Sequence, residues 1–209
     1  IYTESHDEVA NGKSRVPEEI WPGNSHSWFS KKRSTLGAVL VFTAPGIPMI
    51  FQGQEFLEDK WFTDTEPLDW DYAEKMEGIV YLYRDLMRLR RDGDGVSKGL
   101  TGQHVNAYHV NQDAKVLAFH RWYDGGPGDS VVVVINMANR TVTDYTVGFP
   151  AAGRWSLRFD SHAAGYSPDY KGQVSGGVVA VPQRYDGLPA SGKVSLGPYS
   201  GVIYSQDRR

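Results

Sequence analysis

The chain has 209 residues, 40% of them hydrophobic and 22% charged, with a net charge of −3 and no Cys. That balance excludes a disordered chain, a strongly basic nucleic-acid footprint and any disulfide or thiolate metal site, and it gives no reason to expect an anionic membrane partner. The longest apolar runs, 37–42 and 131–135, are of core-element length and far short of the roughly 20 residues that a membrane span needs.

The chain opens Ile1-Tyr2-Thr3-Glu4, without Met, signal peptide or capping sequence. A β-branched, aromatic opening reads as a strand already in progress over residues 1–5, and the chain is read as a piece of a longer protein. Residues 8–29, rich in Gly, Pro, Asn and Ser, form a long loop, and loops of that length in a compact domain are usually functional. A helix is expected over 30–44, with Ser30 as its N-cap, Leu36, Val39, Leu40 and Val41 on its apolar face, and Pro45-Gly46 ending it. Residues 47–52 read as a second strand, apolar on both faces as a buried parallel strand is. A loop over 53–70 leads to a helix over about 72–91. Met76, Ile79, Tyr83, Leu86 and Arg90 keep helical spacing there, Arg88, Arg90 and Arg91 crowd its last turn, and Gly93 is the expected C-cap.

This is strand-loop-helix repeated twice, the pattern of a parallel sheet. Two parallel strands cannot cover their own faces or edges, so residues 1–95 require strands from elsewhere. From 96 to 209 the pattern becomes all-β. Strands are expected over 104–110, 116–122, 130–137, 143–149, 153–161, 178–183, 193–197 and 201–206. Asn111-Gln112-Asp113, Asp124 to Gly128, Asn139-Arg140 and Gly176-Gly177 supply turns between them. Short strands so spaced read as an antiparallel sandwich. The 6 Trp and 12 Tyr suit core packing, and equally the stacking of sugar rings on aromatic faces.

Two segments carry candidate chemistry. Glu4-Ser5-His6-Asp7-Glu8 gathers three carboxylates and an imidazole at the end of the first expected strand. In parallel βα folds that is the end where ligands bind. The same residues are also compatible with a solvated strand end in which Asp7 caps a turn. The contiguous Ser-His-Asp is not a catalytic triad, whose members converge from separate elements. In the second segment, 45–56, an apolar strand ends at Gly53 and is followed by Gln54 and Glu55. No His-Glu-x-x-His motif or phosphate loop is present and the His residues lack ligand spacing, so neither metal nor cofactor is expected.

Taken together these segments resemble a known family. Ser5-His6-Asp7-Glu8-Val9 followed by Gly12-Lys13-Ser14 is similar to the seventh-strand motif of the α-amylase superfamily, and most of all to that of the 1,4-α-glucan (glycogen) branching enzymes. Gly46-x-Pro48…Gly53-x-Glu55-Phe56 resembles the eighth-strand motif, about 40 residues on. Trp61 to Trp70 resembles the loop that follows. Residues 116–122, 131–136, 153–155 and 197–200 resemble the family's C-terminal β-domain. The run from Val16 to Gly23 departs from the usual branching-enzyme loop, and Gln52 and Gln54 stand where Met and Asn are commoner.

The resemblance implies an α/β plus all-β chain: the last two βα units of a (β/α)8 barrel over 1–95, then a β-sandwich over 96–209. It implies a cytoplasmic, retaining enzyme acting on α-glucan, whose nucleophile and general acid lie on barrel strands four and five, outside this chain. Asp7 matches the third carboxylate, which stabilises the oxocarbenium-like transition state. His6 matches the residue that binds a hydroxyl of the same sugar, and Glu8, Lys13, Gln54 and Glu55 are further substrate-binding candidates. The implied partners are the glucan and the N-terminal part of the same enzyme, or a second copy joined through the exposed barrel strands. Branching, hydrolysis on the same scaffold and a non-catalytic carbohydrate-binding module stay open at this point.

Overall fold

The computed structural model describes residues 1–171 and 174–208; Gly172, Gln173 and Arg209, within the expected all-β region, lie outside the described residues. Its helices are α1 (His6–Val9), α2 (Val16–Ile20), α3 (Trp28–Thr43), α4 (Asp71–Lys75) and α5 (Glu77–Arg90). Eight strands follow: β1 (His104–Asn111), β2 (Val116–Trp122), β3 (Val131–Asn136), β4 (Val142–Phe149), β5 (Gly153–Asp160), β6 (Val178–Ala180), β7 (Ala190–Leu196) and β8 (Ser200–Ser205).

All eight strands expected from the sequence are present, shifted by a few residues at their ends. They form a six-stranded antiparallel sheet in the order β1-β2-β3-β8-β5-β6 and a two-stranded sheet, β4-β7. Alternation along the strands decides what each face meets. Val132, Val134, Val202 and Tyr204 point to the small sheet and pack with Val147, Phe149, Val194, Leu196 and the fully buried Trp155. Val131, Val133, Ile135 and Ile203 point the other way, to Leu36, Val39 and Phe42 of α3 and to Ile79, Leu82 and Leu86 of α5. The large sheet is therefore the middle of three layers. That is why the run from Val131 to Ile135 is apolar without interruption instead of alternating.

Contact between α3 and the sheet is close at Gly201. A Cβ there would lie 2.7 Å from Val39 Cγ1, so only glycine lets helix and strand approach this far. Cations fasten the same junction. Arg121, fully buried on β2, donates to the backbone carbonyls of Thr43 at the end of α3, of Leu100 (3.3 Å), of Gly102 (2.5 Å) and of His104 (3.0 Å). Arg90 of α5 donates to the carbonyls of Ala44 (2.7 Å), Phe42 (3.4 Å) and Gly46. Two guanidinium groups thus satisfy the carbonyls that a helix C-terminus leaves open, and complement its dipole.

In the helical half the expected loop 8–29 contains a short helix, α2, and four further differences stand out. First, no strand forms over 1–5 or 47–52. The two segments run side by side and share one parallel-type link, in which the Ile1 amine donates to Ile47 O (2.8 Å) and Met49 N donates to Ile1 O (2.9 Å). With no further strand alongside, Ile47 is 86% and Met49 41% exposed, and a parallel ladder lacks the neighbours that stabilise it. Second, α3 starts at Trp28, and its N-cap is Ser27, whose Oγ accepts from Ser30 N at 3.2 Å; Ser30 is instead a buried residue of the first turn. Third, the expected helix over 72–91 is broken at Met76 into α4 and α5. Fourth, Asp92, not Gly93, takes the left-handed position after α5, at φ 53°, with Gly93 N bonded to Arg88 O (2.9 Å) and Asp92 N to Leu89 O (3.0 Å).

Candidate functional site

Ser5 is extended, and the chain then closes one helical turn, α1, with Glu8 N and Val9 N both donating to Ser5 O at 3.1 and 3.2 Å. Ser5 Oγ donates to Glu8 Oε2 at 3.2 Å and reinforces the turn. Because residues 6–9 are helical and not extended, His6 and Asp7 are about 100° apart around the axis instead of on opposite faces, and His6 Nε2 lies 3.1 Å from Asp7 Oδ1. Their side chains are 68% and 82% exposed. Asn11 (φ 57°) and Gly12 (φ 79°) make the next turn, closed by Lys13 N to Ala10 O at 3.2 Å, in the left-handed region that Asn-Gly pairs favour. That turn brings Lys13 Nζ to the Asp7 carbonyl at 3.2 Å. His6, Asp7, Glu8 and Lys13 thus form one solvent-facing polar cluster.

Gln54 and Glu55 do not join it. Gly53 (φ 83°) turns the chain into a short 3-10 turn over Gln54–Phe56. A Cβ on Gly53 would sit 2.7 Å from Glu58 Cβ, so the turn needs glycine twice over. Gln54 is buried; its Nε2 donates to Thr3 Oγ1 at 2.5 Å and its Oε1 accepts from Phe51 N at 3.1 Å. It is a strut between the two expected strand segments. Glu55 is half-buried and its Oε2 receives no protein donor. Among the described residues no hydrogen bond or ion pair links His6, Asp7, Glu8 or Lys13 to Gln54 or Glu55.

Two buried carboxylates hold this region: Glu4, one of the three of the first candidate segment, and Glu58, which the sequence did not single out. Glu4 and Arg15, each 1% exposed, pair at 3.2 Å between Oε2 and Nη1. Glu4 Oε1 also accepts from Val16 N (2.8 Å), while Arg15 donates to Gln52 O (2.9 Å) and Lys60 O (3.0 Å). Burial raises the Glu4 carboxyl above its ordinary range, and the Val16 N–H and Arg15 offset part of that. Glu58 accepts from the backbone N–H groups of Asp59 and Lys60 (both 3.1 Å) and of Asp69 (2.7 Å), which shapes the loop that runs to Trp70. No periodic pattern marks either residue. Glu4 was marked only by its place at the end of the expected first strand, and Glu58 only by its charge inside a segment read as a loop.

Exposed Trp residues cluster on the helical half: Trp21, Trp61 and Trp70 are exposed, while Trp155 is fully buried and Trp122 is stacked between His104 and His120. Among the described residues no group of three or more His, Asp or Glu side chains could hold a metal ion, and no helix is long and apolar enough to cross a membrane.

A family model described as the α-amylase C-terminal all-β domain matches residues 108–207, which begin within β1 and run through β8. The β-half of the chain is similar to that domain. The likeness to known proteins extends beyond it. The 1,4-α-glucan branching enzyme GlgB of Mycobacterium tuberculosis (strain H37Rv) is 32% identical over 203 residues, covering 95% of this chain and 27% of that protein. That of Mycobacterium ulcerans is 30% identical over 203 residues, with the same coverage. That of Jannaschia sp. is 32% identical over 205 residues, 95% of this chain and 28% of that protein. The chain therefore spans about a quarter of the length of these curated relatives. Among solved structures, a pullulanase from Anoxybacillus sp. LM18-11 complexed with maltotetraose aligns with TM-score 0.64 at 19% identity, over 98% of this chain and 27% of its own. The α-amylase from H. orenii aligns with TM-score 0.61 at 18% identity, over 99% and 39%. At those identities the likeness is one of fold. It takes in the helical half together with the β-half.

Proposed function

We propose that the chain is part of a retaining α-glucan-active enzyme, a 1,4-α-glucan branching enzyme, in which residues 1–95 are the last two βα units of a (β/α)8 barrel and 96–209 its C-terminal β-domain. The observation that carries this reading is the 30–32% identity to branching enzymes over 95% of the chain. In the assembled barrel the segments 1–5 and 47–52 pair with further strands on their open sides, supplied by the rest of the enzyme. The exposure of Ile47 and Met49 supports such a neighbour.

In this reading Asp7 accepts hydrogen bonds from sugar hydroxyls at the cleavage point, and its charge opposes the positive charge that develops at the anomeric carbon. His6, next to it on the turn, donates to a hydroxyl of that sugar. Glu8 and Lys13 are rim groups, and Gln54, bonded to Thr3, holds the two strand segments together. The nucleophile and the general acid come from outside this chain, so the 209 residues alone turn over no glucan. The compartment proposed is the cytoplasm. Transfer of the glycosyl group to a glucan hydroxyl makes an α-1,6 branch, and transfer to water is hydrolysis.

The test uses the complete enzyme on amylose, with linkages read by proton NMR. New α-1,6 anomeric signals without a matching rise in reducing ends are expected; reducing ends alone would make it a hydrolase. In the same assay Asp7→Asn is expected to fold normally, since the side chain is exposed, and to lose roughly 10²–10³-fold or more in kcat. Near-normal turnover would remove Asp7 from the chemistry.

A further inference from the structure

Among the described residues the exposed carboxylate of Asp7 is paired with one side chain, His6, which is itself exposed and so does not fix its direction. Its direction is set by the backbone of α1. Both ends of that turn are anchored to one strip of the following loop. At its C-terminal end Val9 O accepts from Phe62 N at 2.6 Å, and Ala10 bridges Phe62 in parallel fashion. On its N-terminal side Glu4, three residues before Asp7, binds Arg15, which binds Lys60 O. The same guanidinium holds Gln52 O, at the end of the second strand segment, and lies 5.0 Å over the Phe51 ring, which packs edge-on to Phe62. Glu4 and Arg15 face away from solvent and so cannot meet a substrate.

We propose that the Glu4–Arg15 pair is a positioning pair for Asp7, fixing the α1 turn against the 60–62 strip so that the Asp7 carboxylate is held where the reaction needs it. The proposal rests on the reading of Asp7 as the transition-state stabiliser. A buried ion pair is weak evidence of net stability, since desolvation offsets much of its attraction. Here the pair joins three backbone segments that converge on one functional turn, which a same-sized apolar pair could not do. Misplacing a catalytic group by about 1 Å can cost on the order of 100-fold in rate.

The test is made in the complete enzyme with Glu4→Gln, which keeps the shape and an acceptor for Val16 N, and with Arg15→Lys, which keeps the charge but cannot span Lys60 O and Gln52 O together. Each variant is first checked for a native thermal transition above the assay temperature, and whichever of the two passes is carried into kinetics. The expected result is a kcat reduced about ten- to a hundred-fold with KM changed less than about threefold. A rise in KM with kcat intact overturns the proposal, as does an unchanged kcat. The second arm repeats the substitution in an Asp7→Asn background. A positioning role predicts almost no further loss there, whereas a merely structural role gives the same fold-loss in both backgrounds. If Asp7→Asn itself turns over normally, the reading of Asp7 fails and the positioning role with it. If Asp7→Asn is crippled and the pair variants are not, only the positioning role fails.

Discussion

The two halves of the chain meet the same apolar sheet and solve different problems with it. In the β-half every strand has its partners, and only the outer face of the large sheet needs a cover. In the helical half the helices have formed but the strand segments have not, and α3 and α5 supply that cover. The difference separates two kinds of information. A helix closes its backbone hydrogen bonds within itself, so its sequence suffices, whereas a strand is completed by a neighbour that its sequence does not name.

The comparison is broken most directly at Arg121, which holds carbonyls of α3, of the 98–102 segment and of β1 at once. Arg121→Met strands several buried carbonyls and is expected to cost about 3–5 kcal/mol, measured by urea unfolding. If the halves share one core, a single transition moves to lower denaturant. Two transitions, with the β-half unshifted, would mean that the halves are independent.

A smaller effect of opposite sign is expected at Lys32, fully buried on α3 with its Nζ 4.5 Å from the centre of the Tyr170 ring and 3.5 Å from Ser161 O. Burial lowers its ammonium to about 7, while Asp160 and Asp169 pull the other way. A folded-state value below the unfolded one means that the unfolded chain binds the extra proton between about pH 7 and the ordinary lysine range. Stability gained from this group therefore rises with pH across that window, and the full penalty applies below about 7. Lys32→Met is expected to stabilise the protein by about 1–4 kcal/mol at pH 6, with the gain shrinking toward pH 10. A gain that is flat with pH would show that the buried charge is not its source.

The smallest effect tests the helical half alone. Ser27→Ala removes the α3 N-cap and is expected to cost about 1 kcal/mol, read as a fall in thermal midpoint. No change would return the cap to another residue.

The β-half was legible because turn residues punctuate it and because the β-branched run from Val131 to Ile135 suits a strand, though that both its faces are covered emerges only in the fold. The helices were legible through their apolar spacing, but their ends were misjudged. Ser27 and Ser30 are equally good caps on paper, and Met76 carries no breaking signal. The candidate site was legible as a cluster of residue types and not as geometry. The turn at 6–9 depends on Ser5 closing onto Glu8 and Val9, and the Glu4–Arg15 pair depends on a loop doubling back between them. Gln54, grouped with the site by its place in the chain, is withdrawn from it by a hydrogen bond to Thr3.

The order of the large sheet bears on how the protein is made. β8 is the last of the eight strands to leave the ribosome, yet it lies in the middle, between β3 and β5. Until it arrives the sheet exists as two unjoined pieces, β1-β2-β3 and β5-β6, and the apolar sides of α3 and α5 have only part of their cover. Completion of the sheet therefore waits on β8 and on contacts between residues far apart in the chain, which are slow to form. A nascent chain stalled before residue 200 would be expected to stay protease-sensitive throughout both halves.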